Sequence, residues 1–248
     1  MARSSGLTFS DAIEKVLMEH GGYAPLRIIY RDFSRFRDLT GKTPIKTIQE
    51  RVQRDPRFTR IGLGVYALRT MLGRLPKAEE PKSENQRRHF HHTRFQGMLV
   101  ELGNLDGYDT YTADPGRVFD NKRLGSITSL PKVPAFTYPQ LVSTARYIDV
   151  LWFNERRFPE RAFEVEYSTN FRNSLVKFTD LQDFNIRFYL VAPSEGRSKY
   201  DREIGRAAFE RIAKRCAFWA FEKLEKFYQS RVAFAEAATS LEESSLTQ

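Results

Sequence analysis

The sequence lacks the features that define several large classes of protein. Its 248 residues contain one cysteine, Cys216, which excludes an internal disulfide bond and a cysteine-rich zinc site. The longest apolar runs are about six to eight residues, so we expect no transmembrane helix, and the N-terminus has no signal-peptide stretch. The absence of an internal repeat and of a glycine-rich Walker loop argues against solenoids and ATP-driven enzymes. This combination is typical of a globular protein in a reducing compartment.

Positive charge is what the sequence has in excess, and it is concentrated near the N-terminus. The formal net charge is +9 at pH 7. Residues 1–88 hold 18 lysines and arginines against 10 acidic residues, whereas residues 89–248 hold 22 against 21. A basic surface without a membrane segment favours a polyanionic partner, most often nucleic acid, although the charge could serve solubility alone.

A polar segment divides the chain into two unequal parts. Residues 71–88 contain two prolines and show no apolar periodicity, which is typical of a linker. We therefore expect an N-terminal domain over residues 1–70 and a larger domain over residues 89–238, followed by a flexible tail over residues 239–248. With 41% hydrophobic and 29% charged residues, the composition is that of a globular protein.

The N-terminal part has the pattern of three helices followed by a β-hairpin. Apolar residues recur at helical spacing in three successive stretches, and the third stretch starts at Pro44 after the N-cap candidate Thr43. This third helix is expected to end near Arg54. Two short strands around Gly62 and Gly64 complete the element order of a winged helix-turn-helix domain.

The motifs GKTPIKTI, RDPRF and GVYAL in this part resemble the HARE-type winged helix, a module fused to chromatin proteins and restriction endonucleases. The resemblance covers about residues 7–69 and implies that the third helix enters the major groove of DNA. The residues expected to contact bases and phosphates are Lys42, Lys46, Thr47, Glu50, Arg51 and Arg54. A solvated helix face, or a winged helix that binds protein, would have the same pattern.

Acidic residues interrupt two strongly apolar stretches of the larger domain. Asp149 lies within residues 147–153, a run typical of a central strand buried on both faces. In the alternating stretch 161–167, Glu164 and Glu166 share one strand face, about 7 Å apart. If Asp149 lies on the neighbouring strand, three carboxylates converge, and a divalent cation with oxygen ligands such as Mg²⁺ would offset their repulsion. An edge strand whose acids face water is the alternative.

The remaining pattern of the larger domain indicates a mixed α/β core. Periodicity predicts helices over residues 85–103, 168–184 and about 200–238, and strands over residues 108–112 and 186–193. Glu101 falls at the border of the apolar face of the first of these helices. Residues 114–146 are rich in proline and give no clear pattern.

The stretches YIDVLWF, AFEVEYSTN, DL and FYLVAP resemble the PD-(D/E)XK nuclease superfamily, and more closely restriction-endonuclease-like proteins with an FEVE-S-T strand. The resemblance spans about residues 90–215 and implies that Asp149 and Glu164 are the two acids of the motif and hold Mg²⁺. Glu166 stands where the superfamily usually has lysine, and a minority of restriction endonucleases carry glutamate there and remain active. Glu101 matches the helical acid, here a catalytic and metal-binding candidate, that many members add.

The same resemblance suggests further roles near the strand end. The residues that follow the strand over 161–167 and can touch DNA are Ser168, Thr169, Asn170 and Arg172. The first two of these could instead cap the next helix. Lys177 on that helix can supply the positive charge missing at Glu166, or it is a solvated lysine.

Residues 89–92 have the sequence HFHH, which contains three histidines. His89, His91 and His92 are not accompanied by cysteines or carboxylates at the spacing of a zinc site. We therefore expect them to be surface or helix-start residues, some of them near phosphate.

Taken together, the sequence predicts an α/β (α+β) fold: an N-terminal winged helix-turn-helix plus a C-terminal PD-(D/E)XK nuclease-like mixed sheet flanked by helices. The function implied is a sequence-specific, Mg²⁺-dependent type II restriction endonuclease that cuts double-stranded DNA in the prokaryotic cytoplasm. Cutting both strands implies a homodimer, and a restriction-modification system implies a cognate DNA methyltransferase.

Two alternatives remain open. The first is a DNA-binding regulator or reader of modified bases whose nuclease-like domain is inactive, which the absent motif lysine favours. The second is a structural winged-helix partner protein without affinity for DNA.

Overall fold

The computed structural model describes residues 6–40, 43–167 and 170–244. Its N-terminal part contains three α-helices and a small antiparallel sheet. In chain order the elements are α1 (Phe9–Glu19), β1 (Tyr23–Pro25), α2 (Leu26–Phe33), α3 (Pro44–Arg54), β2 (Phe58–Gly62) and β3 (Val65–Leu68). The strand order is β1-β3-β2. The sequence did not indicate β1, because three residues are too few to show an alternating pattern.

Local capping and an apolar cluster define these helices. Thr8 and Asp11 form a reciprocal capping box at the start of α1. Ile13 of α1 packs in one buried cluster with Ile48 of α3. The predicted cap by the Thr43 side chain is not formed; instead, the Thr43 carbonyl accepts a hydrogen bond from the Thr47 hydroxyl at 3.2 Å.

The middle of the chain is more regular than the sequence suggested. After a 3₁₀ turn at Arg69–Arg74, the elements are α4 (Glu84–Leu105), β4 (Asp109–Thr112), β5 (Val118–Phe119), β6 (Lys122–Arg123), α5 (Leu124–Ile127) and α6 (Pro139–Ala145). Helix α4 therefore starts inside the stretch expected to be a linker. Asp120 and Asn121 connect β5 to β6 with φ angles of 47° and 60°, the geometry of a tight hairpin turn that Asp and Asn tolerate.

The C-terminal part contributes most of the main sheet. Its elements are β7 (Val150–Phe153), β8 (Pro159–Val165), α7 (Arg172–Thr179), β9 (Arg187–Ala192), α8 (Arg197–Ile204), α9 (Glu210–Ala213), β10 (Cys216–Ala220) and α10 (Phe221–Ser244). The strand order is β10-β9-β8-β7-β4. The pairs β4–β7 and β7–β8 are antiparallel, whereas β8–β9 and β9–β10 are parallel. The fold is thus mixed α+β, with a five-stranded mixed sheet flanked by helices.

The prediction of one continuous helix over about residues 200–238 is wrong, because β10 interrupts it. The side chain of Phe218 packs towards Phe171, whereas that of Trp219 packs towards Phe163 and Tyr189 on the other face. Neighbouring side chains on opposite faces are the signature of a strand. The apolar run CAFWA satisfies a helical and a strand pattern equally well, so periodicity could not separate them.

Apolar residues cover both faces of the main sheet. Phe163 and Val165 of β8 lie in a cluster with residues of α4 and α10, whereas Ala162 of the same strand packs in a second cluster with residues of α7. The first cluster also includes Leu63 and Val65, so the N-terminal part shares a core with the larger part. Within the described ranges, no helix has the length and apolar character needed to cross a membrane.

Candidate active site

Two of the predicted acids meet where β7 pairs with β8. Val150 is opposite Phe163 in this antiparallel pair, so Asp149, which precedes β7, comes next to Glu164. The amide of Asp149 donates to Glu164 Oε1 at 3.3 Å, and the amide of Val165 donates to Asp149 Oδ2 at 2.7 Å. The structure therefore brings carboxylates from two separate segments to one place.

Glu164 is almost completely buried, with 2% of its surface exposed. Burial raises the pKa of this carboxyl well above its ordinary value, the negative charge of Asp149 raises it further, and the charge of Lys177 lowers it. The ionised form of Glu164 is consequently dependent on its positive neighbour.

Lys177 of α7 is that neighbour. Its Nζ lies 3.0 Å from Oε1 and 2.7 Å from Oε2 of Glu164, and it also donates to the Tyr147 carbonyl at 2.9 Å. Burial lowers the pKa of Lys177, but the charge and hydrogen bond of Glu164 outweigh burial and the pKa is raised. The sequence left open whether Lys177 supplies positive charge near Glu166 or is a solvated lysine. In the structure its ammonium lies in the acidic cluster.

Glu166 follows β8 and faces the same pocket. Its Oε1 accepts a hydrogen bond from the Ser174 hydroxyl at 2.6 Å, and Ser174 Oγ lies 3.3 Å from Glu164 Oε2. One buried serine of α7 thus links the two glutamates that share a strand face.

His92 and Asp114 join this cluster. His92 was expected to be a surface or helix-start residue, but it is half-buried beside Asp149, and Asp114 was not singled out from the sequence. His92 Nε2 on α4 lies 3.2 Å from Asp149 Oδ2, and the ligand atoms of His92, Asp114 and Asp149 all lie within 4.8 Å of one another. Burial lowers the pKa of His92, but the hydrogen bond and charge of Asp149, together with the charges of Asp114 and Glu166, outweigh it and raise the pKa. The place of His92 in the pocket was missed because its partners are distant in sequence, and Asp114 was missed because its segment showed no pattern.

Glu101 does not lie in this cluster. It is fully buried, and its Oε2 accepts hydrogen bonds from the Leu63 amide at 2.8 Å and from the Tyr228 hydroxyl, while Lys122 Nζ lies 3.4 Å from Oε1. Nine residues separate Glu101 from His92 on α4, about two and a half turns, so the two side chains leave the helix on opposite sides. The expectation that Glu101 binds metal beside Asp149 is therefore not met, and His92 is the α4 residue at the pocket.

The pocket has an acidic interior and a basic rim. Its volume is about 370 Å³. Among the residues that line it are Asp114, Asp149, Glu164 and Glu166 with Lys177, and the exposed residues Arg88, His89 and Arg117. Cations can bind the carboxylates, and the arginines can contact an anion such as a phosphate.

The predicted DNA-contacting residues lie on two surfaces. Lys46, Glu50, Arg51 and Arg54 are exposed on α3, Thr47 is half-buried there, and Arg54 pairs with Glu50 at 2.8 Å. Asn170 and Arg172 are exposed after β8, and α7 starts at Arg172 rather than at residue 168. Lys42, Ser168 and Thr169 lie outside the described residues.

Comparison with known proteins gives a consistent picture. Residues 74–244 match the family model described as the type II restriction enzyme NmeDI C-terminal domain. The type II restriction enzyme NmeDI of Neisseria meningitidis serogroup C is 26% identical over an alignment of 149 residues, which covers 55% of this chain and 42% of that protein. The alignment thus spans about two-fifths of the relative's length, and no solved structure is significantly similar to this chain. Because the matched residues include all of α4 to α10 and the whole main sheet, the chain belongs to the family of the NmeDI C-terminal domain, a family of type II restriction enzymes.

Proposed function

We propose that this protein is a Mg²⁺-dependent endonuclease of type II restriction type that hydrolyses phosphodiester bonds in double-stranded DNA. The observation that carries the proposal is the meeting of Asp149, directly before β7, and Glu164 of the paired strand β8 with the ammonium of Lys177 from α7. This cluster lies within the residues that match the restriction-enzyme family.

The donor set of the pocket suits a hard cation. Asp149 and Glu164 offer carboxylate oxygens at one end of the paired strands, and oxygen is the ligand that Mg²⁺ prefers. The chemistry that Mg²⁺ supplies when bound at such a site is polarisation of the scissile phosphate and a lower pKa of a bound water. Asp149 and Glu164 would hold the ion.

Lys177 takes the part that the superfamily gives to a lysine on the strand. Glu166 occupies that strand position, but Lys177, on the helix that follows the strand, brings an ammonium to the carboxylate of Glu164. Its charge favours the ionised form of Glu164 and would stabilise negative charge on the phosphate during attack. Glu166, held by Ser174, orients the attacking water or accepts its proton.

The N-terminal part is proposed to be the winged helix-turn-helix that holds the DNA. Its element order, with α3 before a β-hairpin, agrees with such a domain, and α3 exposes Lys46, Arg51 and Arg54. Arg88 and Arg117 at the rim of the pocket are suited to grip phosphates near the scissile bond.

The assembly and cellular setting follow from this function. One pocket cuts one strand, so we propose a homodimer on a palindromic site. A cognate DNA methyltransferase would protect the host genome, and both proteins would act in the prokaryotic cytoplasm.

One observation favours a second candidate function, a DNA-binding regulator or modified-base reader without nuclease activity. Both carboxylate oxygens of Glu164 already have partners in Lys177 and Ser174, which compete with a metal ion.

A plasmid digest separates the two candidates. The nuclease proposal predicts that unmodified or methylated plasmid of known sequence yields discrete fragments with Mg²⁺, and none with EDTA or with Asp149→Asn. The matched control Glu155→Gln, on the exposed turn before β8, should cut like the wild type. Tight DNA binding without cleavage under every divalent cation would instead support the regulator.

A further inference from the structure

We propose that His92, Asp114 and Asp149 form a second cation position in the pocket, one that selects a divalent transition-metal ion such as Mn²⁺ over Mg²⁺. The proposal rests on the proposed function only for what the ion does, since binding of the ion requires no DNA cleavage. Asp149 belongs to both cation positions, whereas the imidazole of His92 and the carboxylate of Asp114 belong to this one.

The spacing of the three groups suits a single ion. Two ligand atoms about 2.1 Å from one ion are about 3.0 Å apart at a right angle and about 3.4 Å apart in a tetrahedron. His92 Nε2 and Asp149 Oδ2 are 3.2 Å apart. The Asp114 oxygen lies within 4.8 Å of both. Since ligands of one octahedral ion are between about 3.0 and 4.2 Å apart, this limit admits a shared ion.

Each ligand is held in place by a different part of the fold. His92 is fixed on α4, and the Val165 amide holds Asp149 Oδ2 at 2.7 Å. Asp114 Oδ2 accepts a hydrogen bond from Gln96 Nε2 at 2.9 Å. Such outer partners orient ligands in known metal sites.

The buried side chain of Gln96 gives independent support for a ligand-binding role of Asp114. Its side chain is fully buried on α4, one turn after His92, and its Oε1 has no hydrogen-bond partner within the described part of the chain. A buried, half-satisfied amide costs free energy. Orientation of Asp114 towards His92 accounts for a glutamine at this place.

The ligand types decide which ion binds. Imidazole suits first-row transition-metal ions such as Fe²⁺ and Zn²⁺, whereas Mg²⁺ prefers oxygen ligands and retains its waters. Mn²⁺ also accepts carboxylate oxygens, and its unpaired electrons make it the spectroscopic probe of this mixed site. The 3.2 Å separation of His92 Nε2 and Asp149 Oδ2 is equally that of a hydrogen bond. The test must therefore detect a bond between nitrogen and the metal, rather than activity alone.

The experiment is a titration of the full chain, without DNA, with Mn²⁺. Electron paramagnetic resonance counts the bound ion, and electron spin echo envelope modulation reports an imidazole ¹⁴N in its coordination shell. We expect Mn²⁺ at the His92 position to show ¹⁴N modulation and to be displaced by Mg²⁺ only at an excess of about 10-fold or more. His92→Asn should abolish the modulation and weaken Mn²⁺ binding about 10-fold or more. His91→Asn, a neighbour on α4 whose ring stacks on Tyr167, should change neither.

The outcomes that overturn the proposal are clear. Wild-type protein that binds Mn²⁺ without ¹⁴N modulation, or His92→Asn that retains it, contradicts the site. Because the wild-type spectrum is decisive, a variant that fails to fold leaves the test intact, and Asp114→Asn gives a second measure of affinity. Mn²⁺ bound through imidazole without DNA cleavage under any cation would refute the nuclease function alone. Cleavage with Mg²⁺ and no ¹⁴N modulation would refute the second position alone.

Discussion

At the scale of residues, the ion pair between Lys177 and Glu164 is the central feature of the pocket. Glu164 is 2% exposed, whereas 32% of the Lys177 side chain is exposed. The ammonium lowers the pKa of Glu164 but only partly opposes the burial and the repulsion that raise it. The pair therefore links the stability of the pocket to its chemistry.

Lys177→Met should separate binding from cleavage. Without the ammonium, the pKa of Glu164 rises further, and we expect a loss of about 100-fold or more in cleavage rate with little change in DNA affinity. The partial exposure of Lys177 limits the cost in stability to about 1–2 kcal/mol. Single-turnover cleavage and denaturant unfolding measure the two effects. Lys177→Arg keeps the charge and should retain part of the rate, and a Lys177→Met enzyme as fast as the wild type would contradict the role.

The sequence could predict only part of the pocket at this scale. Asp149, Glu164 and Glu166 follow from strand alternation and a motif resemblance. The assignment of Glu101 failed because periodicity identifies the buried face of α4 but not which of its turns reaches the sheet end. His92 fills that place, and only the packing of α4 against the sheet shows it.

Close packing of α4 on the sheet and on β5 is the main feature at the scale of elements. A Cβ added at Gly97 would lie 2.2 Å from the ring of Phe119, and one at Gly103 would lie 2.6 Å from the Trp152 indole nitrogen. These glycines let α4 approach its neighbours.

Gly97→Ala should therefore destabilise the protein. The Phe119 ring must move to admit a methyl group, which costs about 1–3 kcal/mol of unfolding free energy. Gly73→Ala is the matched control, because a Cβ there meets nothing within 4 Å. Denaturant unfolding of both variants tests this, and equal midpoints would show that α4 tolerates a larger separation.

The ion-pair cluster around Arg57 predicts acid sensitivity of the N-terminal part. Arg57 lies 3.0 Å from Asp11 on α1 and 2.8 Å from Asp55. The Thr8 hydroxyl and amide, followed by Arg57, lower the pKa of Asp11 from 3.8 to about 2. A hydrogen bond from Arg57 lowers the pKa of Asp55 below its usual range.

Because both pKa values are depressed in the folded state, their contribution to stability is present above about pH 4. It is lost as the pH falls from 3.8 towards 2. In Arg57→Met we expect a smaller fall of the melting temperature over this window, with the Thr8 share remaining. Thermal unfolding between pH 6 and pH 2.5 measures it, and parallel profiles for the two proteins would contradict the assignment.

Element types were largely predictable from sequence, and their exceptions have physical reasons. Apolar periodicity predicts the strands that carry the acidic residues and the strand that follows them. Periodicity together with Pro44 predicts helix α3. Strand β10 was taken for helix because five successive apolar residues fit both patterns, and its pairing with β9 is a long-range contact.

A buried charged pair joins the N-terminal part to the rest at the scale of the whole molecule. Lys122 and Glu101 are both fully buried. Lys122 Nζ donates to the Ile61 carbonyl at 2.9 Å, and Glu101 Oε2 accepts from the Leu63 amide at 2.8 Å. The sequence suggested two domains and a linker, because it carries no signal of contacts between residues 40 to 60 positions apart.

Removal of Lys122 should leave the buried Glu101 without its counter-ion, whereas removal of Glu101 leaves Lys122 paired with the largely exposed Asp120 at 3.2 Å. We expect Glu101→Met and Lys122→Met each to cost about 3–5 kcal/mol, and the double variant to cost less than their sum. A double-mutant cycle by denaturant unfolding tests this, with one cooperative transition for both parts. Strictly additive losses would show that the two groups are not coupled.

The central claim is that one pocket cuts DNA that the N-terminal part helps to hold. The most direct measurement is the single-turnover cleavage rate at saturating enzyme, alongside DNA affinity by fluorescence anisotropy, for Asp149→Asn and for Lys46→Ala/Arg51→Ala. The account predicts that Asp149→Asn keeps its affinity and loses cleavage by about 100-fold or more. The α3 variant should instead bind more weakly and cut at nearly the wild-type rate once saturated. Cleavage by Asp149→Asn at the wild-type rate would contradict the account.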